Sequence, residues 1–228
     1  MAYHNEQMPV TPATTTPRIF LLSPAHCGGE RARLLFRPEA RFELALKLRT
    51  PQGATLGEVF SFLSGLYFRG KIAYARRFAC PPADVEGQLV ITTNRGLMSA
   101  DEYVTLADLK QMGCVDIDAT VRRYRTPLVR SVKLLRERIG RDCHAVLLGS
   151  IATGKYVDIL SRHLGEQLRF PSEFIGRGDM SRGGLMLRCV EAGRELTYIP
   201  LAGTVRRGAR PAKLAPRTSV PRTRSAPI

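Results

Sequence analysis

No apolar run in these 228 residues approaches the ~18 that a membrane-spanning helix needs, and the N-terminus carries neither a basic region nor an apolar core of signal-peptide type. A reducing cytoplasm is the expected home. Close cysteine pairs are missing as well. The five cysteines (Cys27, Cys80, Cys114, Cys143, Cys189) are odd in number and scattered, with no CxxC or His-x-Cys spacing. That pattern argues against a disulfide framework and against zinc, and no motif implies a cofactor. No fixed-period repeat appears, which excludes solenoids and arrays. Acidic residues are absent from 204–228, which holds seven basic ones.

Charge is what the chain has in excess. There are 35 Lys and Arg against 20 Asp and Glu, a formal net charge of +15, and setting the C-terminal stretch aside leaves +8 on residues 1–203. A basic body makes a polyanionic partner plausible, though charge speaks to association and solubility rather than to fold. With 44% hydrophobic residues the chain can bury one sizeable core. Residues 1–17, polar and rich in Thr and Pro, read as a disordered leader, 18–203 as a single α/β domain, and 204–228 as a disordered basic tail.

Within the body, short apolar runs at 18–23, 89–93 and 145–148 read as buried strands, with a last strand at 196–199. Between them helical periodicity covers 39–49, 56–78 (interrupted near Ser64-Gly65 and again near Arg69-Gly70), 104–112, 124–139 and 157–164. Residues 115–117 read as a brief extended piece. Strands alternating with helices predict a single open, mostly parallel sheet with helices on both faces, and ligands on such sheets gather beyond the strands' carboxyl ends.

The loops at those ends carry the candidate chemistry. The segment 176–184 (GRGDMSRGG) has four glycines in nine positions, which suits sharp turns or close backbone approach, and it should deliver N–H groups to a following helix. An ordinary surface turn is the competing reading. Residues 149–156 (GSIATGKY) nearly spell a phosphate-binding Gly-x4-Gly-Lys-[Ser/Thr] loop, but Tyr156 cannot supply the small hydroxyl that ligates magnesium, so anion contact without nucleotide hydrolysis is the expectation. Ser23, Ser150, Lys155, Arg177, Ser181 and Arg182 are the candidate phosphate or ligand contacts, with Asp179 and Asn94 as candidate chemical groups. Tyr67, Arg69 and Lys71 interleave aromatic and cation and could stack and clamp nucleic acid, as could Arg206, Arg207 and Arg210 of the tail. They could equally be one buried face and one solvated face. Cys27 beside His26 reads as an unreactive loop thiol, since adjacent residues rarely face each other for proton transfer.

Two segments, 21–25 (LLSPA) and 63–67 (LSGLY), resemble signature segments of the YaaA peroxide-stress family, and 89–98 is similar to an element of that family and of archaeosine-synthase core domains. Together they cover about 20 of 228 residues. The resemblance implies an α/β fold with nucleic-acid association or base-modification chemistry, and it points to Ser23. The combined expectation is a nucleotide- or nucleic-acid-associated protein whose strand-end site suits acid–base work on a base or glycosidic bond. The alternatives are a small-molecule enzyme acting on a phosphorylated or carboxylated metabolite, and a non-catalytic scaffold docking through its tail. No membrane partner is expected.

Overall fold

Every residue of Ile19–Leu22 is fully buried, and the side chains divide by parity. Ile19 and Leu21 pack into one apolar cluster, Phe20 and Leu22 into another. A strand buried on both faces has this signature, because successive side chains point to opposite sides of the sheet. The computed structural model describes residues 16–204, 208–212 and 214. In it this run is β1 (Arg18–Leu22), followed by α1 (Glu30–Phe36), α2 (Glu43–Arg49), β2 (Ala54–Thr55), α3 (Leu56–Ser64), α4 (Leu66–Phe78), β3 (Gln88–Ile91), β4 (Leu97–Ser99), β5 (Tyr103–Val104) and α5 (Leu106–Gly113). Then come α6 (Arg122–Ile139), β6 (His144–Leu148), α7 (Gly154–Leu164), β7 (Leu168–Pro171), α8 (Asp179–Ala192) and β8 (Tyr198–Pro200).

The main sheet has six strands in the order β4-β3-β1-β6-β7-β8. β3, β1, β6 and β7 run parallel, and the edge strands β4 and β8 are antiparallel. β2 and β5 pair separately. Side chains of α6 and α7 fill the cluster on one face, and those of α3, α4 and α5 fill the other together with Met186 of α8. This is the open α/β sheet the sequence predicts. The chain leaves β1 toward β3 on one side and leaves β6 toward β7 on the other. The connections therefore diverge between β1 and β6, and divergence opens a crevice at the carboxyl ends of those two strands.

Several local expectations are corrected. The helical pattern 56–78 breaks once, at Gly65 (φ +60°), while α4 runs straight through Gly70. Residues 97–99, read as loop, form β4, and β7 was not anticipated because Arg169 interrupts a four-residue run. Residues 115–117 form no strand. The glycine-rich segment is a loop only at its start. Gly178 caps α8, so Gly183 and Gly184 lie inside the helix. Gly176 does need its glycine: it has φ +71°, and a side chain there would overlap the Ala209 carbonyl.

Gly183 serves a different purpose. A Cβ on it would stand 2.8 Å from the Leu66 carbonyl oxygen and 2.9 Å from Tyr67 Cα, and one on Gly70 would stand 2.7 Å from the Gly183 carbonyl oxygen. The two glycines let the backbones of α4 and α8 touch. Among the described residues a Cβ on Gly184 would meet only the end of Leu214, at 3.7 Å. Gly183→Val should therefore cost at least about 1–3 kcal/mol through overpacking. Gly184→Ala should be neutral or stabilise by up to ~1 kcal/mol, the helix-propensity difference. Urea denaturation of both variants checks this, and a Gly183→Val protein as stable as the parent would remove the close-packing explanation.

Candidate active site

Lys71 lies on the apolar face of α4, one turn after Tyr67, and is only 1% exposed. An ammonium there has lost its water and, among the described residues, has no carboxylate in ion-pair contact. Leaving a charge in that state costs several kcal/mol. Burial accordingly draws the Lys71 ammonium down from its ordinary value of 10.5 to about 7, with Asp179 opposing and Arg182 reinforcing the shift. Its nitrogen donates to Ser23 Oγ at 2.6 Å and to the Ser23 carbonyl at 3.1 Å. It also stands 4.0 Å from the centre of the Tyr67 ring and 5.4 Å from that of Phe68.

Ser23 is the first residue beyond β1, and its N–H donates to the Leu148 carbonyl at the end of β6. It thus sits at the mouth of the crevice, where the connections leaving β1 and β6 diverge. Gly149, the first residue beyond β6, lies directly against it. An added Cβ there would be 2.7 Å from Ser23 Cβ, 3.0 Å from the Tyr156 hydroxyl and 3.1 Å from Ser23 Oγ. The first glycine of the near-Walker loop therefore makes room for a serine and a tyrosine. Tyr156 donates to the Ser150 carbonyl at 2.8 Å, and burial raises its pKa. The loop is tied to itself at the position where a phosphate-binding loop of the nucleotide hydrolases would present a hydroxyl.

These groups line a cavity of about 330 Å³ together with His26, Ser64, Thr153, Lys155 and Asp179. Tyr67 is 5% exposed, and its buried hydroxyl makes no well-formed hydrogen bond among the described residues, although the Arg182 guanidinium lies beside it. Burial raises its pKa too, so the phenol keeps its proton. Two further cavities adjoin. One, of about 350 Å³, shares His26 and Lys155 and is floored by Thr93, Met112 and Asp118. The other is an open cleft of about 800 Å³ sharing Ser150 and Asp179 and walled by Arg177, Arg182, Gly208 and Arg210.

The structure thus brings Ser23, Ser150, Lys155 and Asp179 to one cavity and places Arg177, Arg182 and Arg210 beside it. Asn94 lies in the β3–β4 turn and lines none of the three cavities, although its buried side-chain oxygen has no hydrogen-bond partner among the described residues. Tyr67, Arg69 and Lys71 do not form a surface platform: Tyr67 and Lys71 are buried and only Arg69 is exposed. Helical geometry separates them, since Tyr67 and Lys71 share a face one turn apart and Arg69 points away. Arg206 and Arg207 lie outside the described residues. Cys27 is buried, its thiol pushed up to about 12 by burial, which fits an unreactive role.

The arginines of the glycine-rich segment are largely occupied. Arg182 donates from Nε and Nη2 to the Phe174 carbonyl at 3.3 and 3.1 Å, and from Nη1 to Asp179 at 3.3 Å. Arg177 donates to the Glu173 carbonyl at 2.9 Å and to Ser181 Oγ at 3.2 Å, which makes Ser181 a partner of the loop. Both arginines close the turn that leads from β7 into α8. The role of Lys71 in pairing with Ser23 is the feature the sequence reading missed. Its signal was a lysine on the apolar face of an amphipathic helix, in step with Tyr67, Tyr74 and Phe78.

Among the described residues no group of three His, Cys, Asp or Glu is placed to hold a metal ion, and no helix is long and apolar enough to cross a membrane. No family model, curated protein or solved structure matches the chain.

Two outcomes are expected. Truncating Arg182 removes two of the three N–H groups that donate to the Phe174 carbonyl, leaving the Arg177 backbone N–H at 3.2 Å, and it empties a buried site, so Arg182→Ala should cost about 1 kcal/mol in a denaturation experiment. The more peripheral Arg177→Ala should cost less. The second outcome concerns pH. The folded value for Lys71, about 7, lies below its ordinary 10.5, so between them the unfolded chain binds the extra proton. Stability contributed at this position is therefore present at high pH and lost as pH falls toward 7, with a slope of at most ~1.4 kcal/mol per pH unit. Lys71→Met should flatten that component between pH 7 and 9, below the range where the raised thiols of Cys27 and Cys143 act in the opposite sense. Parallel stability–pH curves for parent and variant would refute the shift.

Proposed function

We propose that the crevice between β1 and β6 binds a small phosphorylated ligand, with a nucleotide, free or at the end of a nucleic-acid strand, as the best-fitting class. The observation that carries this reading is the convergence of two strand-end loops, 23–29 and 149–156, and the amino end of α8 on one cavity. The described residues lining that cavity include Ser23, Ser150 and Thr153, the cation of Lys155 and one acid, Asp179, whose side chain is 64% exposed. A concave site of about 330 Å³ has the size of small-molecule sites. It lies at the amino end of α7, where partial positive charge favours an anion.

Lys155, exposed and close enough to Asp118 to help hold that carboxyl below its usual range after the hydrogen bonds from Thr120, stands at the junction of two cavities. It is the cation best able to turn toward a phosphate. The arginines and Arg210 surround the adjoining cleft with positive charge, which suits the remainder of a longer polyanion. The resemblance of short segments to the YaaA family and to archaeosine-synthase cores is in keeping with a nucleotide or nucleic-acid partner.

Isothermal titration with a mononucleotide, pyrophosphate and the matching nucleoside tests this. The phosphorylated ligands should bind, the nucleoside should bind far more weakly, and affinity should fall with added salt. Lys155→Ala should weaken nucleotide binding roughly 10- to 100-fold, the worth of one charge-assisted hydrogen bond, with little change in melting temperature. Equal affinity for nucleoside and nucleotide, or no dependence on Lys155, would remove the phosphate from the reading.

A further inference from the structure

We propose that Ser23 is a nucleophile and Lys71 its general base, so that this crevice performs acyl transfer, hydrolysing an ester or thioester through a covalent acyl-Ser23 intermediate. The nucleophile stands on its own geometry. The expectation that the substrate also carries a phosphate rests on the reading above.

An alcohol becomes a nucleophile when an uncharged base accepts its proton within hydrogen-bond reach. Ser23 Oγ and Lys71 Nζ are 2.6 Å apart. The second bond of Nζ, to the Ser23 carbonyl, fixes the amine against its serine, and the Tyr67 and Phe68 rings enclose the other side. The amine has no carboxylate in ion-pair contact among the described residues; Asp179 favours its charge from a distance and Arg182 opposes it. Burial that draws its pKa to about 7 keeps a large fraction neutral at physiological pH. A surface lysine near a serine would be protonated and useless as a base, whereas this one is desolvated. Serine–lysine pairs are a known variant of the nucleophile–base arrangement on unrelated folds.

The cavity supplies two further requirements. Ser23 lines it, so a carbonyl carbon can reach Oγ. Tyr67 lines the same wall, and its hydroxyl, beside the Arg182 guanidinium, keeps its proton and is the donor we assign to a developing oxyanion. The steps balance as follows. Neutral Lys71 takes the Ser23 proton while Oγ bonds to the carbonyl carbon, and the carbonyl π pair moves onto oxygen. The pair then returns, the bond to the leaving group breaks, and the Lys71 ammonium protonates the departing alkoxide or thiolate. Water, activated by the same amine, repeats the addition and releases the acid with Ser23 restored. No electron is gained or lost overall.

A fluorophosphonate probe tests this on the full chain, with intact mass and peptide mapping as readouts. The expected result is one adduct on Ser23, formed at a rate that rises with pH through about 7. Ser23→Ala should take up no label. Lys71→Met, shown folded by circular dichroism, should label about 100-fold or more slowly. Absence of an adduct on Ser23 in the folded parent at pH 8 overturns the proposal. A labelling rate independent of pH between 6 and 8 overturns the assignment of Lys71 as base, and does so even if Lys71→Met fails to fold. Nucleotide titration into the parent protein separates the two readings. Binding without labelling of the parent keeps the phosphate site and removes the nucleophile, and labelling without binding does the reverse.

Discussion

Gly70 and Gly183 let the backbones of α4 and α8 come into contact, and the crevice depends on that contact. With no Cβ on either, Leu66 and Tyr67 of one helix stand within 3 Å of where a side chain on the other would begin. The approach sets the depth at which Tyr67 and Lys71 enter the sheet's carboxyl edge, and it brings the amino end of α8, with Asp179, to the same mouth. Glycine inside a helix lowers its intrinsic stability by about 1 kcal/mol relative to alanine. Here alanine has no room, so packing overrides propensity.

Around that contact the site is built from constraints that reinforce one another. The connections leaving β1 and β6 diverge, and the crevice opens beyond the paired strand ends at Ser23 and Gly149. The missing side chain at Gly149 leaves room for Ser23 and Tyr156 to sit together, and Tyr156 binds its own loop. Lys71 reaches across from the helix layer and places its nitrogen on Ser23. Polar groups this deep are expensive unless paired, and nearly all are paired. Among the described residues of the cavity wall the Tyr67 hydroxyl, beside Arg182, still has its proton to give to a ligand.

Positive charge is divided into two kinds. Arg177 and Arg182 are spent on carbonyls and side chains that close the β7–α8 turn, and they lend the neighbouring cleft their field without being free to leave. Lys155 is exposed and able to move. A cation's proximity to a site in sequence says little about its availability, because a guanidinium with two carbonyl bonds is part of the scaffold.

The sequence by itself determined the α/β class and three of the four central strands, because β1, β3 and β6 are apolar runs whose burial on both faces leaves no alternative pattern. It also located the strand-end loops, since small and polar residues follow each run. It did not reveal β7, where Arg169 interrupts a four-residue strand, nor that Asp179–Gly184 belongs to a helix, because glycines read locally as loop. Only the tertiary structure decided that Gly183 is there for contact with α4, that Arg182 is a brace, and that Lys71 meets Ser23. Those two residues are 48 positions apart in the chain. Periodicity can place a lysine on the apolar face of a helix. What that lysine faces depends on which strand end the helix packs over, and the order of the strands is set by long-range pairing, which no local pattern encodes.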